Sequence, residues 1–161
     1  MTVSNSVISD DAYFVYGLSG LLGRDFINEF FIVLDLDSQH AGNSDIFNAA
    51  DKEVVAFVSS DIAFYNAQKI GVHYVLDKKS SVQNILDFFL FKRDSGSYHI
   101  KRKLTQREKE VLSLMSDGAT HQEMTTKLGI NYKTFYSHRK NLMIKLGCVN
   151  RICLHNLFLK R

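Results

Sequence analysis

The sequence predicts an α/β unit built on a parallel sheet, followed by a small all-α unit of four helices. Three observations predict it. Over the first 92 residues, apolar runs of strand length alternate with helical patterns, the signature of right-handed crossovers between parallel strands. From Leu104 to Arg161 short helical patterns are punctuated by Gly118, Gly129 and Gly147, with a last pattern after Gly147. Charge divides at the same place. Residues 1–100 hold 7 Lys/Arg against 13 Asp/Glu, an excess of six negative charges, whereas residues 101–161 hold 13 against 4, an excess of nine positive charges. A net charge of +3 therefore hides an acidic unit joined to a basic tail suited to a polyanion.

At 161 residues with 45% hydrophobic content, the chain holds one ordinary domain or two small ones and is not of disordered composition. No apolar run approaches a membrane span, and residues 1–6 lack the basic start and apolar core of a signal peptide. Cys148 and Cys153 have no metal-site spacing, and reduced thiols in the cytoplasm are expected. Proline is absent, so turns rest on Gly, Asn, Asp and Ser.

In chain order, residues 2–9 form a weak strand ending in Asp10 and Asp11. Residues 12–22 read as a helix with Phe14, Leu18, Leu21 and Leu22 on one face. Residues 30–36 are a continuous apolar run, as a strand buried on both faces requires, ending at Asp35 and Asp37. A short helix is expected over 45–50. A second buried strand covers 53–58 and ends in Ser59 and Ser60. A helix over 62–70 closes at Gly71, and a third strand over 72–76 runs into Asp77 and Lys78. A helix over 80–91 is capped by Ser80 or Ser81 and buries Val82, Ile85, Leu86, Phe89 and Leu90. Acids, hydroxyls and a lysine thus gather at carboxyl ends of strands, where open parallel sheets place their functional crevice.

The polar, basic stretch 93–103, with Ser-Gly-Ser, reads as the linker between residues 1–92 and residues 104–161. Thr105 with Glu108, and Thr120 with Glu123, have capping-box spacing. Val111, Leu112, Leu114 and Met115 form the first buried stripe, and Met124 and Leu128 the second. Asn131 caps a helix over 131–146 that buries Phe135, Leu142 and Leu146 while presenting a basic outer face. A last helix over 150–159 carries Ile152, Leu154, Leu157 and Phe158.

At these residues the chain resembles the LuxR/FixJ-type helix-turn-helix family. Leu104-Thr105-Gln106-Arg107-Glu108-Lys109-Glu110-Val111-Leu112 is similar to the opening L-T-x-R-E-x-E-V-L. Gly118-Ala119-Thr120-His121-Gln122-Glu123-Met124 is similar to G-x-[ST]-x-x-E-I, and Leu128-Gly129-Ile130-Asn131-Tyr132-Lys133-Thr134-Phe135 to L-G-I-S-x-K-T-V. Residues 137–147 are similar to the closing T-H-R-x-N-I-x-x-K-L-G. The first 92 residues resemble a response-regulator receiver. Asp10 and Asp11 match its acidic pair, Asp35 the phosphate-accepting position, Ser59 or Ser60 its hydroxyl, and Lys78 its lysine. Only 24 residues separate Asp11 from Asp35, too few for the usual helix–strand–helix passage. The unit is therefore read as a truncated receiver lacking one helix–strand unit, as in some bacterial fimbrial and stress regulators. Asp37-Ser38 and Lys79 also depart from the receiver pattern.

The resemblance implies that the helix over 131–146 enters the major groove. Tyr136, Ser137 and Lys140 would face base edges, and Lys133, Thr134, His138 and Arg139 would lie at or beside the backbone. Tyr136 stands where the family often has Lys, so readout should be less electrostatic. His121 and His138 read as surface or groove residues, and Glu108 and Glu123 as caps or ion-pair partners. No nucleophile, base and orienter assemble, so the chain is not expected to be an enzyme or to carry a cofactor or metal. Asp10, Asp11, Asp35 and Lys78 read as a degenerate phosphoacceptor site whose supporting sheet is disrupted by the deletion. The expected function is a sequence-specific DNA-binding transcription regulator, cytoplasmic, dimeric and independent of phosphorylation. The alternative is a protein-interaction regulator acting mainly through the receiver-like unit, with auxiliary DNA contacts. Expected partners are double-stranded DNA, a second copy or another regulator, and RNA polymerase, with no membrane.

Overall fold

The computed structural model describes residues 6–38, 51–148, 150 and 152. The short helix expected over 45–50, the last helix over 150–159 and Cys153 lie outside the described residues, apart from Asn150 and Ile152. The chain divides after Ile100 into two compact units.

In the first unit the apolar runs become four parallel strands, β1 (Val7–Ile8), β2 (Phe31–Asp35), β3 (Glu53–Val58) and β4 (Tyr74–Asp77), paired in that order. Among the described residues of this unit the helices are α1 (Ala12–Leu22), α2 (Arg24–Phe30), α3 (Asp61–Lys69) and α4 (Val82–Phe91). Side chains alternate across the sheet, which gives it two cores. Val7, Val33, Val55, Phe57 and Leu76 pack with Leu18, Ile27, Phe88 and Phe89 of α1, α2 and α4. Ile32, Leu34, Ala56, Val58 and Val75 pack with Ala63 and Ala67 of α3 and with Tyr98. Burial of both faces explains why β2 and β3 are continuously apolar rather than alternating.

Val82 and Leu90, expected in the buried stripe of α4, are exposed, and Phe88 is buried with Phe89 instead. Two larger features also differ from the sequence expectation. First, Arg24–Phe30 is a second helix, where the sequence suggested no element. Gly23 at φ 86° lets α1 turn directly into it, and Phe30, expected in the strand, is its last residue. Asn28 on α2 accepts a hydrogen bond from the Ser6 amide at 3.2 Å, tying the short edge strand β1 to the helix. Two helices thus stand between β1 and β2, with no strand between them.

Second, the front of the expected linker is built into the first unit. Asp94–Gly96 forms a 3₁₀ turn, and Ser97 bridges Leu76 at the end of the sheet. Gly96 is packed so closely that a Cβ would lie 3.3 Å from the Asn84 carbonyl oxygen. The Tyr98 hydroxyl donates to Asp61 at 2.8 Å in the interior, and burial together with that carboxylate pushes the phenol well above its ordinary pKa. These contacts depend on partners far away in sequence, so composition alone misread the segment.

The second unit contains α5 (Gln106–Ser116), α6 (His121–Leu128) and α7 (Tyr132–Leu146). Both expected capping boxes form: Thr105 with Glu108 and Thr120 with Glu123 each satisfy two helix-terminal amides reciprocally. Asn131 caps α7 through the Thr134 amide at 2.9 Å. Gly129 and Gly147 close α6 and α7 in the left-handed region, at φ 62° and 71°, where a side chain would be strained. Leu104, Val111, Leu112, Met124, Leu128, Phe135, Leu142 and Cys148 are buried.

Candidate nucleic-acid interface and the acidic cleft

Helix α7 has an inner line, Phe135 and Leu142, that is fully buried, and an outer face that is not. Tyr132, Lys133, Tyr136, Ser137 and Lys140 are all exposed. Their spacing of three to four residues puts them along one side of the helix. Thr134, His138 and Arg139 are half-buried at its flanks. Of the seven residues singled out for DNA, the structure therefore places Lys133, Tyr136, Ser137 and Lys140 on the open face. Thr134, His138 and Arg139 border it. Ser137 returns its hydroxyl to the Lys133 carbonyl at 3.1 Å, which holds that side chain against the helix.

The helix is held from its other end. Lys145 reaches the Glu108 carboxylate on α5 at 2.7 Å and the Lys103 carbonyl at 3.2 Å. Arg102 donates to the Ile144 carbonyl at 3.0 Å. These cations sit at the last turn, where the helix dipole is negative. Burial alone would raise the Glu108 pKa. The Lys145 hydrogen bond, the Thr105 amide and the Lys145 charge outweigh it and hold the carboxyl below the usual range.

Sequence reasoning missed one cluster at this face. His121, in the first turn of α6, lies 3.3 Å from Arg139 Nη1. The Arg139 guanidinium lies over the Tyr136 ring, 4.7 Å from its centroid. The residues are local in space but 18 positions apart in the chain, and no short-range pattern reveals such a pair.

In the first unit, Asp35 at the end of β2 is 1% exposed. Its Oδ2 accepts from Lys78 Nζ at 2.9 Å and from the Ser9 hydroxyl at 2.6 Å, and its Oδ1 accepts from the Asp37 amide at 3.2 Å. Asp11 Oδ2 lies 3.7 Å from Lys78 Nζ, while Asp11 Oδ1 caps α1 through the Tyr13 and Phe14 amides. Asp10 stays exposed at the rim, with its amide donating to Ser38. Ser60 caps α3 through the Ala63 amide, and the Ser59 amide donates to Asp37.

The structure thus brings together Asp11, Asp35 and Lys78, with Asp10 beside them. The expectation that the deletion disrupts the supporting sheet does not hold for these three. The sheet runs unbroken from β1 to β4, and the two helices between β1 and β2 leave their pairing intact. Ser9, which the sequence did not single out, completes the set. Among the described residues no group of three or more His, Cys, Asp or Glu is arranged to hold a metal ion. None of the described helices is long and apolar enough to cross a membrane.

Comparison with known proteins agrees with this architecture. Residues 102–157 match the family described as bacterial regulatory proteins, luxR family. An uncharacterized response regulatory protein, YgeK, of Escherichia coli (strain K12) is 42% identical over 52 residues, covering 32% of this chain and 35% of that protein. The transcriptional regulatory protein RcsB of the same strain is 40% identical over 76 residues, covering 47% of this chain and 33% of RcsB. The matched segments thus span about a third of the length of these curated relatives. Among solved structures, one of two RcsB dimers bound to two parallel DNAs aligns with a TM-score of 0.54 at 16% identity, over 96% of each chain. RcsB from Salmonella enterica serovar Typhimurium bound to promoter rprA aligns with a TM-score of 0.52 at 18% identity, also over 96% of each chain. At that identity the likeness establishes fold. Residues 102–157, within the second unit, are thus similar to the luxR family, and the chain shares the fold of these regulators, with a parallel α/β first unit.

Proposed function

We propose that this chain is a dimeric, sequence-specific DNA-binding transcription regulator that acts without phosphorylation at Asp35. The outer face of α7 carries the reading. Lys133, Tyr136, Ser137 and Lys140 lie along one side of a helix anchored at both ends, the geometry a major-groove reader needs. The excess of nine positive charges on residues 101–161 supplies the phosphate attraction. RcsB, a relative of this domain, is described as a transcriptional regulator and has been solved with DNA.

Independence from phosphorylation is supported by Asp35 itself. Both of its oxygens are engaged, one of them by Lys78 and Ser9 together, and the group is buried. Self-association is supported by apolar side chains left open on the first unit. Tyr13 and Tyr16 on α1, and Val82, Leu90 and Phe91 on α4, are all exposed. A dimer also doubles the number of bases read by a small domain.

The test is duplex binding by the full chain at several salt concentrations. If each subunit neutralises about three to five phosphates, log K against log salt should fall with a slope of roughly −5 to −9 for a dimer. A flat salt response contradicts DNA binding, and sedimentation showing monomers both free and on DNA contradicts the dimer.

A further inference from the structure

The cluster His121–Arg139–Tyr136 sits at the edge of the face that would enter the groove. His121 is half-buried at the start of α6. Its ring lies edge-on to Tyr136, with centroids 5.9 Å apart at 86°, and 5.4 Å from the buried Phe135 ring. Arg139 Nη1 approaches His121 Nε2 at 3.3 Å. A guanidinium only donates, so Nε2 is the acceptor in this contact. The same guanidinium covers Tyr136 at 4.7 Å and lies 5.8 Å from the Phe135 centroid.

Tyr136 is therefore clasped between a cation on its own helix and an imidazole from α6. A second aromatic ring, Tyr132, lies 6.4 Å away one turn earlier. Tyr136 nevertheless remains 43% exposed. The result is an aromatic edge with little rotamer freedom, presented on the open face beside Lys133 and Lys140. In the major groove the apolar feature that distinguishes one base is the thymine 5-methyl group. A ring that is fixed before binding loses less entropy when it meets that methyl than a free side chain would.

Resting on the DNA-binding reading above, we propose that Tyr136 is a specificity-determining residue that meets a thymine methyl group in each half-site. Arg139 and His121 are its positioning residues. Arg139 keeps N–H groups beyond the one on His121, and these remain available to an adjacent phosphate. The assignment moves Arg139 from a simple phosphate contact to a residue with two tasks, and gives His121 a task through its neighbour.

The preferred duplex is first selected by the full-length protein from a randomised pool. Each thymine is then replaced singly by deoxyuridine, which removes only the 5-methyl group. Wild-type affinity should fall about fourfold at one thymine per half-site, the value of one buried methyl. Tyr136→Phe should keep that sensitivity, and Tyr136→Ala should erase it. His121→Ala and Arg139→Lys should reduce it to less than about twofold, because the ring is no longer clasped although positive charge at position 139 persists in the second variant. Lys133→Ala should bind more weakly to every duplex yet keep the full methyl sensitivity. A folding defect lowers affinity for all duplexes alike and leaves no site-specific signature. The proposal is overturned if no thymine is methyl-sensitive, or if Tyr136→Ala retains the sensitivity. Full sensitivity in both His121→Ala and Arg139→Lys overturns the positioning roles. Failure to enrich any sequence from the pool overturns the sequence-specific DNA-binding reading on which the proposal rests.

Discussion

Replacing Glu108 by Gln should loosen the packing of α7 on α5 and weaken DNA binding with no residue of the α7 outer face altered. The carboxylate is 3% exposed and accepts from the Thr105 amide at 2.8 Å and from Lys145 at 2.7 Å. Breaking a buried ion pair costs about 3–5 kcal/mol when the surviving charge is trapped. Here the survivor is Lys145, whose side chain is 30% exposed and which still has the Lys103 carbonyl. The ammonium can turn to water, so the cost should fall to about 2 kcal/mol for Gln, which keeps an acceptor for Thr105. Glu108→Ala also loses the reciprocal cap, which adds about 1 kcal/mol. For a unit of this size, total stability is about 3–9 kcal/mol, so either change removes a large fraction of it. The sign with pH follows from the lowered Glu108 pKa. The carboxylate's contribution is complete above the unfolded value of about 4.3 and is lost as pH falls through the lower folded value. The wild-type advantage over Glu108→Gln should therefore be full at pH 7 and shrink below about pH 4. Hydrogen exchange of the α5 and α7 amides in the full-length protein reads this unit separately from the first. Equal protection in wild type and Glu108→Gln at neutral pH would refute the argument, as would a difference that persists unchanged well below pH 4.

At the α7 face, Lys140→Ala should reduce cognate binding more than binding to scrambled DNA, by about 1–3 kcal/mol of discrimination, whereas Lys133→Ala should weaken both alike. Competition titrations against the two duplexes distinguish these outcomes, and equal losses for both variants would reject the assignment of faces. In the first unit, Asp35→Asn should retain DNA affinity, and wild type should stay unmodified by small phosphodonors. Intact-mass measurement showing stoichiometric phosphorylation, with a gain in affinity, would reverse that expectation. Lys78→Met should destabilise the first unit by about 2–4 kcal/mol, because it leaves the buried Asp35 carboxylate without a cation. The double variant Asp35→Asn/Lys78→Met should recover most of that loss, and additive losses in urea titration would show that the two groups are uncoupled.

What could be read from the sequence was what chemistry enforces locally. A capping box needs a Thr and a Glu three residues apart, so the starts of α5 and α6 were legible to the residue. β3 was legible because a strand buried on both faces must be apolar throughout, and Glu53 and Ser59 bound it sharply. Helix α2 was not legible. It is seven residues long with only Ile27 buried, and it is tied to the sheet through Asn28 and Ser6, 22 positions apart. The same holds for Tyr98, which joins the first unit through Asp61, 37 positions away. At the site, the base-facing residues of α7 were named from the family resemblance, whereas the clasp of His121 on Arg139 required the angle between two helices.

The survival of the Asp35–Lys78 pair in a shortened receiver-like unit has a physical explanation that does not require phosphoryl chemistry. Between β1 and β2 the chain forms only α1 and α2, and α2 runs straight into β2. Strand β1 still pairs with β2 at Val7–Val33 and Ile8–Leu34, so the carboxyl ends of β1, β2 and β4 stay in the same crevice. Asp35 is then sealed beneath the loops, and a carboxylate in that position must be neutralised or hydrogen-bonded throughout. Lys78, 19% exposed, supplies the charge while stacking its ammonium 4.9 Å from the Phe14 ring. Ser9 and the Asp37 amide fill the remaining acceptor positions. Removing Lys78 leaves the buried Asp35 carboxylate without its cation, so stability by itself is enough to keep the lysine in place. A receiver-like signature at these positions is therefore weak evidence for signalling by phosphate, and the stronger functional evidence lies on the outer face of α7.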